Sequence, residues 1–111
     1  MKKTYITKDS GKRIKFESGF SRDVQEGKPR FDLIPLDLLT RLADLYTRGA
    51  EKYGEENYKL ADSPEEYKRF RASAFRHFIQ WMQYQDDEDH GIATLWNIFS
   101  YEWHVNHKKK K

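Results

Sequence analysis

Apolar residues recur every three or four positions in three stretches of the chain, and this spacing predicts three helices. The first helix should begin near Pro35, which suits a first helical turn, and run to about Tyr53 before the helix stop Gly54. Its inner face is predicted from four leucines and a tyrosine. These are Leu38, Leu39, Leu42, Leu45 and Tyr46.

The second helix has the clearest start, because Ser63, Pro64 and Glu66 follow one another as in a capping box. We expect Ser63 to cap the helix and Glu66 to reach back to the amide of the cap. The inward stripe of this helix is predicted to be Tyr67, Phe70, Ala74, Phe78 and Trp81. The third helix should start around Asp89, with Ile92, Leu95, Trp96, Phe99 and Trp103 on one side.

The residues before the first helix have a different pattern. Residues 4–17 alternate apolar and polar on either side of Asp9-Ser10-Gly11-Lys12, which predicts a β-hairpin that turns at these four residues. Residues 18–34 mix glycine, proline and charge without a period and are expected to form an arm. The predicted fold is all-α: one domain, 1–111, with a hairpin and arm (1–34), a helical body (35–107) and a Lys tail (108–111).

Composition suggests that this body does not fill its core alone. The chain has 111 residues with three Trp, seven Tyr and seven Phe, and yet its mean hydropathy is −1.03. A small domain of this kind buries a limited core, so we expect it to complete its core by pairing with another copy. Cysteine is absent, which excludes thiolate metal sites, and no apolar run is long enough for a membrane span.

Charge is divided unevenly along the chain. Residues 1–30 have nine Lys/Arg against four Asp/Glu, residues 31–107 have eight against fourteen, and the last four residues are all Lys. An acidic body with a basic arm favours a metal cation together with phosphates. It argues against a nucleic-acid binder, which usually has a basic stripe on the body. The absence of cysteine and of a membrane span also leads us to expect a cytoplasmic protein.

The most unusual segment is Asp86-Asp87-Glu88-Asp89-His90, at the start of the third helix. A helix N-terminus favours one or two carboxylates, such as Asp87 as cap or Asp89 in the first turn, but this does not explain four acids. In an antiparallel helix pair the segment would face His77 of the second helix. Carboxylates without thiols indicate Mg²⁺ or Mn²⁺ rather than zinc.

Three further positions have two interpretations each. Asn97 follows His90 by two helical turns, and it either bridges two helices or completes a site begun there. Gly49 costs helix stability, which suggests close approach of another backbone or a ligand. Lys52 and Asn57 are donors suited to a phosphate or a base edge, although a plain helix end with a glycine stop explains the same residues. No phosphate-binding GxxxxGK[ST] loop and no His-Asp dipeptide occur.

The segments "FESGFSRD", "EGKPRFDLIP", "GAEKYGEENY", "FRHFIQW" and "DEDHGIATLWN" occur in this order. The series resembles the phage-associated dATP/dGTP diphosphohydrolase N-terminal domain family, a relative of the all-α MazG-like nucleoside triphosphate pyrophosphohydrolases, over residues 16–103. The resemblance implies a metal-dependent hydrolase of (deoxy)nucleoside triphosphates, with purine bases expected. It also implies a MazG-like helical bundle completed in a homodimer or homotetramer, and a place in the host cytoplasm if the protein is phage-encoded. Its products would be a monophosphate and pyrophosphate, in support of phage nucleotide metabolism.

The resemblance also leads to a set of expected site residues. Substrate would be bound by Lys28, Arg30, Lys52, Tyr53, Asn57 and Asn97. The metal, Mg²⁺ or Mn²⁺, would be held by Glu88, Asp89, His77 and His90. Catalysis would depend on Asp89, His90 and Arg76. Phe20 and Tyr58 depart from the family pattern, which puts base preference in doubt, and the ExxE…ExxD metal motif of MazG proper is not visible.

A second interpretation belongs to another class of protein. A non-catalytic module that binds nucleotides or proteins, for example a phage sponge for a signalling nucleotide, would keep the same fold and many of the same residues. Turnover of a nucleotide separates the two interpretations. A basic-armed nucleic-acid binder is a third and weaker interpretation, because the body is acidic.

Overall fold

The computed structural model describes residues 4–109, and the side chains of residues 4–107. It is mostly helical, with a small hairpin formed by β1 (Arg13–Lys15) and β2 (Ser21–Asp23) and three helices, α1 (Leu36–Tyr53), α2 (Pro64–Met82) and α3 (His90–Lys109). The chain divides into two compact units, Met1–Leu33 and Ile34–Lys111. Three helices and an N-terminal hairpin are thus confirmed, whereas the single-domain organisation stays a prediction.

The hairpin forms at a different place from the one predicted. Strand β1 pairs antiparallel with β2, with Ile14 opposite Arg22, so the turn lies at Phe16–Phe20. Gly19 adopts a φ of 92° there, and its amide donates to the Phe16 carbonyl at 2.9 Å. The predicted Asp9–Lys12 segment also turns, because the Gly11 amide donates to Asp9 Oδ1 at 2.8 Å, but it connects no strands.

The helix boundaries follow the sequence signals closely. Pro35 precedes α1, and Gly54 ends it with a φ of 99°, a value that a side chain would disfavour. Ser63 caps α2 by accepting a hydrogen bond from the Glu66 amide at 3.2 Å, and Ser63 Oγ lies 2.7 Å from Glu66 Oε1. Helix α3 extends into the predicted Lys tail as far as Lys109, and the rest of that tail lies outside the described residues.

Helices α2 and α3 form an antiparallel pair. His77 contacts His90 near one end of the pair, and Phe70 stacks with His104 near the other, at a ring-centroid distance of 5.9 Å. Helix α1 and a short 3₁₀ turn, Asn57–Leu60, pack on α3. None of the described helices is both long enough and apolar enough to cross a bilayer.

The buried stripe of α3 is mostly polar, which corrects the predicted face in part. Ile92 is buried as predicted, and Trp96 and Trp103 are half-buried. Leu95 and Phe99, which were predicted to face inward, are 42% and 46% exposed. Phe78 and Trp81 on α2 are 42% and 54% exposed. The stripe against α2 repeats at intervals of three and four residues and consists of His90, Ala93, Asn97, Ser100 and His104. Hydrogen bonds explain why polar groups are tolerated there. The Asn97 amide donates to the Ala93 carbonyl, the Ser100 hydroxyl to Trp96, and the His104 ring to Tyr58.

Candidate metal and nucleotide site

Three potential metal ligands converge where α2 meets the start of α3. They are His77, Glu88 and His90, and one ligand atom of each lies within 4.8 Å of the others. The two imidazoles are buried, and their Nδ1 atoms are 2.8 Å apart. Burial, followed by the neighbouring charge of Arg76, lowers the pKa of His77, which keeps this ring neutral and able to act as a ligand.

Asp87 fixes the orientation of the His90 ring. His90 Nε2 lies 2.8 Å from Asp87 Oδ1, and this hydrogen bond lowers the pKa of Asp87. Because a carboxylate only accepts, the proton of the neutral His90 ring resides on Nε2, and its Nδ1 lone pair points towards His77. His77 Nδ1–H then donates across the 2.8 Å contact, and a cation held by both Nδ1 atoms would require the His77 proton on Nε2 instead. A carboxylate behind a histidine in this manner is common at metal sites.

Asp89 has a different neighbour from the one expected. Both of its carboxylate oxygens accept hydrogen bonds from Arg41 of α1, at 2.9 Å from Nε and 2.7 Å from Nη2. This bidentate contact lowers the pKa of Asp89 and holds the segment before α3 against α1. Asp89 is therefore outside the group formed by His77, Glu88 and His90, and its predicted ligand role stays a prediction.

A pocket of about 290 Å³ opens beside this group, between α1, the 3₁₀ turn and the α2–α3 pair. His77 belongs to both, because it lines the pocket and also contributes to the ligand group. The structure brings three more of the expected residues to the pocket wall. These are Tyr53, Asn57 and Asn97.

Aromatic rings form one side of the pocket. Tyr46, Tyr58 and Trp96 contact one another with ring centroids 5.8 to 6.1 Å apart. Burial raises the pKa of the Tyr46 hydroxyl, so this group stays protonated. The wall therefore combines flat apolar rings with a few polar groups, as small-molecule sites usually do.

A family model described as dATP/dGTP diphosphohydrolase, N-terminal, matches residues 18–111. The chain belongs to this family. The resemblance carried by the sequence motifs is thereby confirmed. Searches of curated proteins and of solved structures found no match.

The remaining expected residues of this family member have contacts of their own. In the hairpin unit, Lys28 Nζ is 3.7 Å from Asp23, and Arg30 forms a bidentate contact with Asp32 at 2.7 to 2.8 Å. Lys52 lies over the Tyr53 ring at 5.0 Å, and Arg76 is exposed beside His77. Their roles in substrate binding or catalysis stay predictions.

Sequence reasoning missed Arg41 in this family member. Arg41 is the single Lys or Arg between residues 36 and 47, within a stretch rich in leucine. Asp37 and Asp44 lie four residues before and three residues after it, so local spacing offers nearer partners than Asp89 and gives no signal for the observed pair. Asp87 was considered as a helix cap, and its contact with the His90 ring could not be read from spacing.

Proposed function

We propose that the chain holds a divalent cation at His77, Glu88 and His90 and hydrolyses purine (deoxy)nucleoside triphosphates to a monophosphate and pyrophosphate. The observation that supports this most directly is the double position of His77, in the ligand group and in the pocket wall. A nucleotide in the pocket would have its phosphates beside the cation. Membership of a family described as dATP/dGTP diphosphohydrolase agrees with this reaction.

The residues present fit a divalent cation. Two nitrogen ligands about 2 Å from one ion are about 3 Å apart when they are adjacent, and the two Nδ1 atoms are 2.8 Å apart. Two imidazoles and one carboxylate suit Mn²⁺ better than Mg²⁺, because Mg²⁺ prefers oxygen ligands. When bound, such a cation neutralises phosphate charge and lowers the pKa of a coordinated water.

The chain's own residues orient and attract the reactants. Asp87 keeps the His90 proton on Nε2, so that Nδ1 is available as a ligand. Arg76 is exposed beside His77, where a guanidinium would stabilise charge that develops on pyrophosphate. We assign the carboxylate of the ligand group to Glu88 rather than Asp89, since both Asp89 oxygens accept from Arg41.

Product analysis tests this proposal. The purified chain is incubated with each dNTP and NTP in Mn²⁺ or Mg²⁺, and monophosphate and pyrophosphate are expected from dATP and dGTP. The variant His77→Ala should lose activity, whereas His107→Ala, which changes an exposed histidine near the end of α3, should retain it.

Two results would contradict the proposal. Orthophosphate as the first product would place the cleaved bond elsewhere in the triphosphate. Tight nucleotide binding without product over hours would instead support the non-catalytic nucleotide-binding module. Addition of EDTA separates a metal-dependent reaction from a contaminating one, since activity should disappear and return with added Mn²⁺.

A further inference from the structure

Gly49 leaves open space inside α1 at the wall of the 290 Å³ pocket. A Cβ atom built at Gly49 would meet no described atom within 4 Å, although glycine in a helix interior is unfavourable compared with alanine. The close approach of another backbone, one of the two explanations suggested by the sequence, is absent among the described residues. Space for a ligand remains as the explanation.

Asn97 offers a side-chain acceptor between this pocket and a groove lined by Phe70, Phe75 and Ile98. The side chain is 7% exposed, and its Nδ2 donates to the Ala93 carbonyl at 2.8 Å, which fixes the amide orientation. Its Oδ1 accepts no hydrogen bond from the described part of the chain. This oxygen is not one of the fully buried atoms that lack a partner, so it keeps accessible surface and can accept a hydrogen bond from a ligand.

The pocket wall is also unsuited to phosphate. None of the described residues that line it is Lys or Arg, and the one charged carboxylate among them, Glu56, would repel an anion. The rings of Tyr46, Tyr58 and Trp96 offer flat apolar surface instead. A neutral, planar, partly polar group is therefore the better occupant.

We propose that this pocket takes the purine base of the nucleotide, with Asn97 Oδ1 accepting a hydrogen bond from an exocyclic amino group and Gly49 providing the space. This inference rests on the proposed function and names its base site. The phosphates then extend past His77 towards Glu88 and His90, because His77 borders both places. Asn97 is on this account a specificity-determining residue.

Analogues that lack one amino group test the hydrogen bond. We compare kcat/KM for dATP with that for the same nucleotide without its 6-amino group, and dGTP with dITP, which lacks the 2-amino group. At least one pair should differ about tenfold or more in the wild-type chain, because Asn97 would be left without its donor. In Asn97→Ala the difference should fall to about twofold.

Gly49→Ala provides a test in which stability and binding move in opposite directions. Alanine should raise Tm by about 4 °C through its helix propensity. The added methyl group should weaken binding of a non-hydrolysable dATP analogue about tenfold, measured by calorimetry. Thr47→Ala is the matched control, because Thr47 lies on the same helix outside the pocket wall, and it should leave nucleotide affinity unchanged.

The two proposals fail in different ways. A wild-type chain that neither binds nor hydrolyses nucleotides would contradict the proposed function. A chain that hydrolyses dNTPs with equal kcat/KM for both analogue pairs would contradict the base site while the function stands. Unchanged affinity in a stabilised Gly49→Ala variant would contradict it as well, even where Asn97→Ala fails to fold.

Discussion

Asp87 and His90 show how one surface carboxylate can set the chemistry of a buried ring. His90 is 2% exposed, while the Asp87 side chain is 66% exposed and accepts from His90 Nε2 at 2.8 Å. Without this acceptor the proton of the neutral ring could move to Nδ1, which is the atom that faces His77. The contact therefore decides whether His90 presents a lone pair or a proton to the ligand group.

Replacement of Asp87 should weaken metal binding. In Asp87→Asn the charge that favours Nε2–H is lost, so we expect Mn²⁺ affinity to fall about tenfold or more, measured by calorimetry or by EPR of free Mn²⁺. Asp86→Asn is the control, because it removes the same charge from the neighbouring position, whereas the His90 ring bonds to Asp87. Equal Mn²⁺ affinity in both variants and the wild type would contradict this role of Asp87.

The acid-rich segment was recognised from the sequence, but the role of each acid was not. Spacing along the chain places Asp87, Glu88 and Asp89 within one turn, and it cannot tell which way each side chain points. The structure separates them by their partners, because Asp87 meets His90 and Asp89 meets Arg41, which is 48 residues away in sequence. A contact of such long range has no signature in local periodicity.

The Arg41–Asp89 contact joins α1 to the segment directly before α3. The variant Arg41→Gln should lower Tm by about 2 to 4 °C, because it removes a bidentate charge-assisted contact. Asp89→Asn should have a similar effect, and the double variant should be little worse than either single one. Arg69→Gln, on the exposed surface of α2, is the control and should leave Tm unchanged. Additive effects of Arg41→Gln and Asp89→Asn on Tm would contradict the coupling.

The hairpin unit contains an acid whose titration is easy to follow. The hydrogen bond from Arg13 is the main cause that lowers the pKa of Asp9 to about 2, from an ordinary value of 3.8. The charged form is favoured in the folded hairpin, so the contact is fully present above pH 4 and is lost as the pH falls through about 2. In Arg13→Gln the Asp9 midpoint should return towards 3.8, measured by NMR of the carboxyl carbon, and an unchanged midpoint would contradict the contact.

The three helices could be predicted because their ends have local chemical signals, whereas the hairpin register could not. Ser10-Gly11 and Ser18-Gly19 are equivalent turn signals in the sequence, and both glycines have a positive φ, 80° and 92°. The chain turns back at the second signal, where Phe16 and Phe20 contact each other with ring centroids 5.6 Å apart. Pairing of two aromatic rings across a turn is a tertiary preference that alternation does not reveal.

On the scale of the whole molecule, the buried face of α3 is mostly polar, and many large apolar side chains of the helices are exposed. Ile92 and Ala93 are the buried apolar residues among those the structure describes. Large exposed side chains form grooves on the α2–α3 pair instead, and these include Phe75, Phe78, Trp81, Leu95 and Ile98. Periodicity identified these residues as apolar and assigned them to an internal core, because it cannot distinguish a contact within the chain from a contact between chains.

We propose that a second copy of the chain covers this surface, in a homodimer or homotetramer. The described helices bury Ile92 and Ala93 fully and the rings of Tyr46, Phe70 and Trp96 only partly, so a monomer should be less stable than an assembly that covers the exposed apolar side chains. Obligate interfaces commonly bury more than 2,000 Å² and resemble a divided core, which agrees with exposed phenylalanine, leucine and tryptophan on one helix pair.

A charge placed within the grooves should disrupt such an assembly. Leu95 lines a groove together with Phe78 and Trp81, so Leu95→Glu would bury a carboxylate in the proposed interface. Arg41 borders the same groove, but its guanidinium already pairs with Asp89. Light scattering after gel filtration should give a multiple of 13.4 kDa for the wild type and a shift towards the monomer mass for Leu95→Glu. Gln83→Glu, at the exposed end of α2, adds the same charge elsewhere and should leave the assembly intact.

The Tm of the wild type should also rise with protein concentration, because association stabilises the folded state. A wild type that stays monomeric at every concentration, with a sharp and concentration-independent Tm, would show that the helical unit is stable without a second copy.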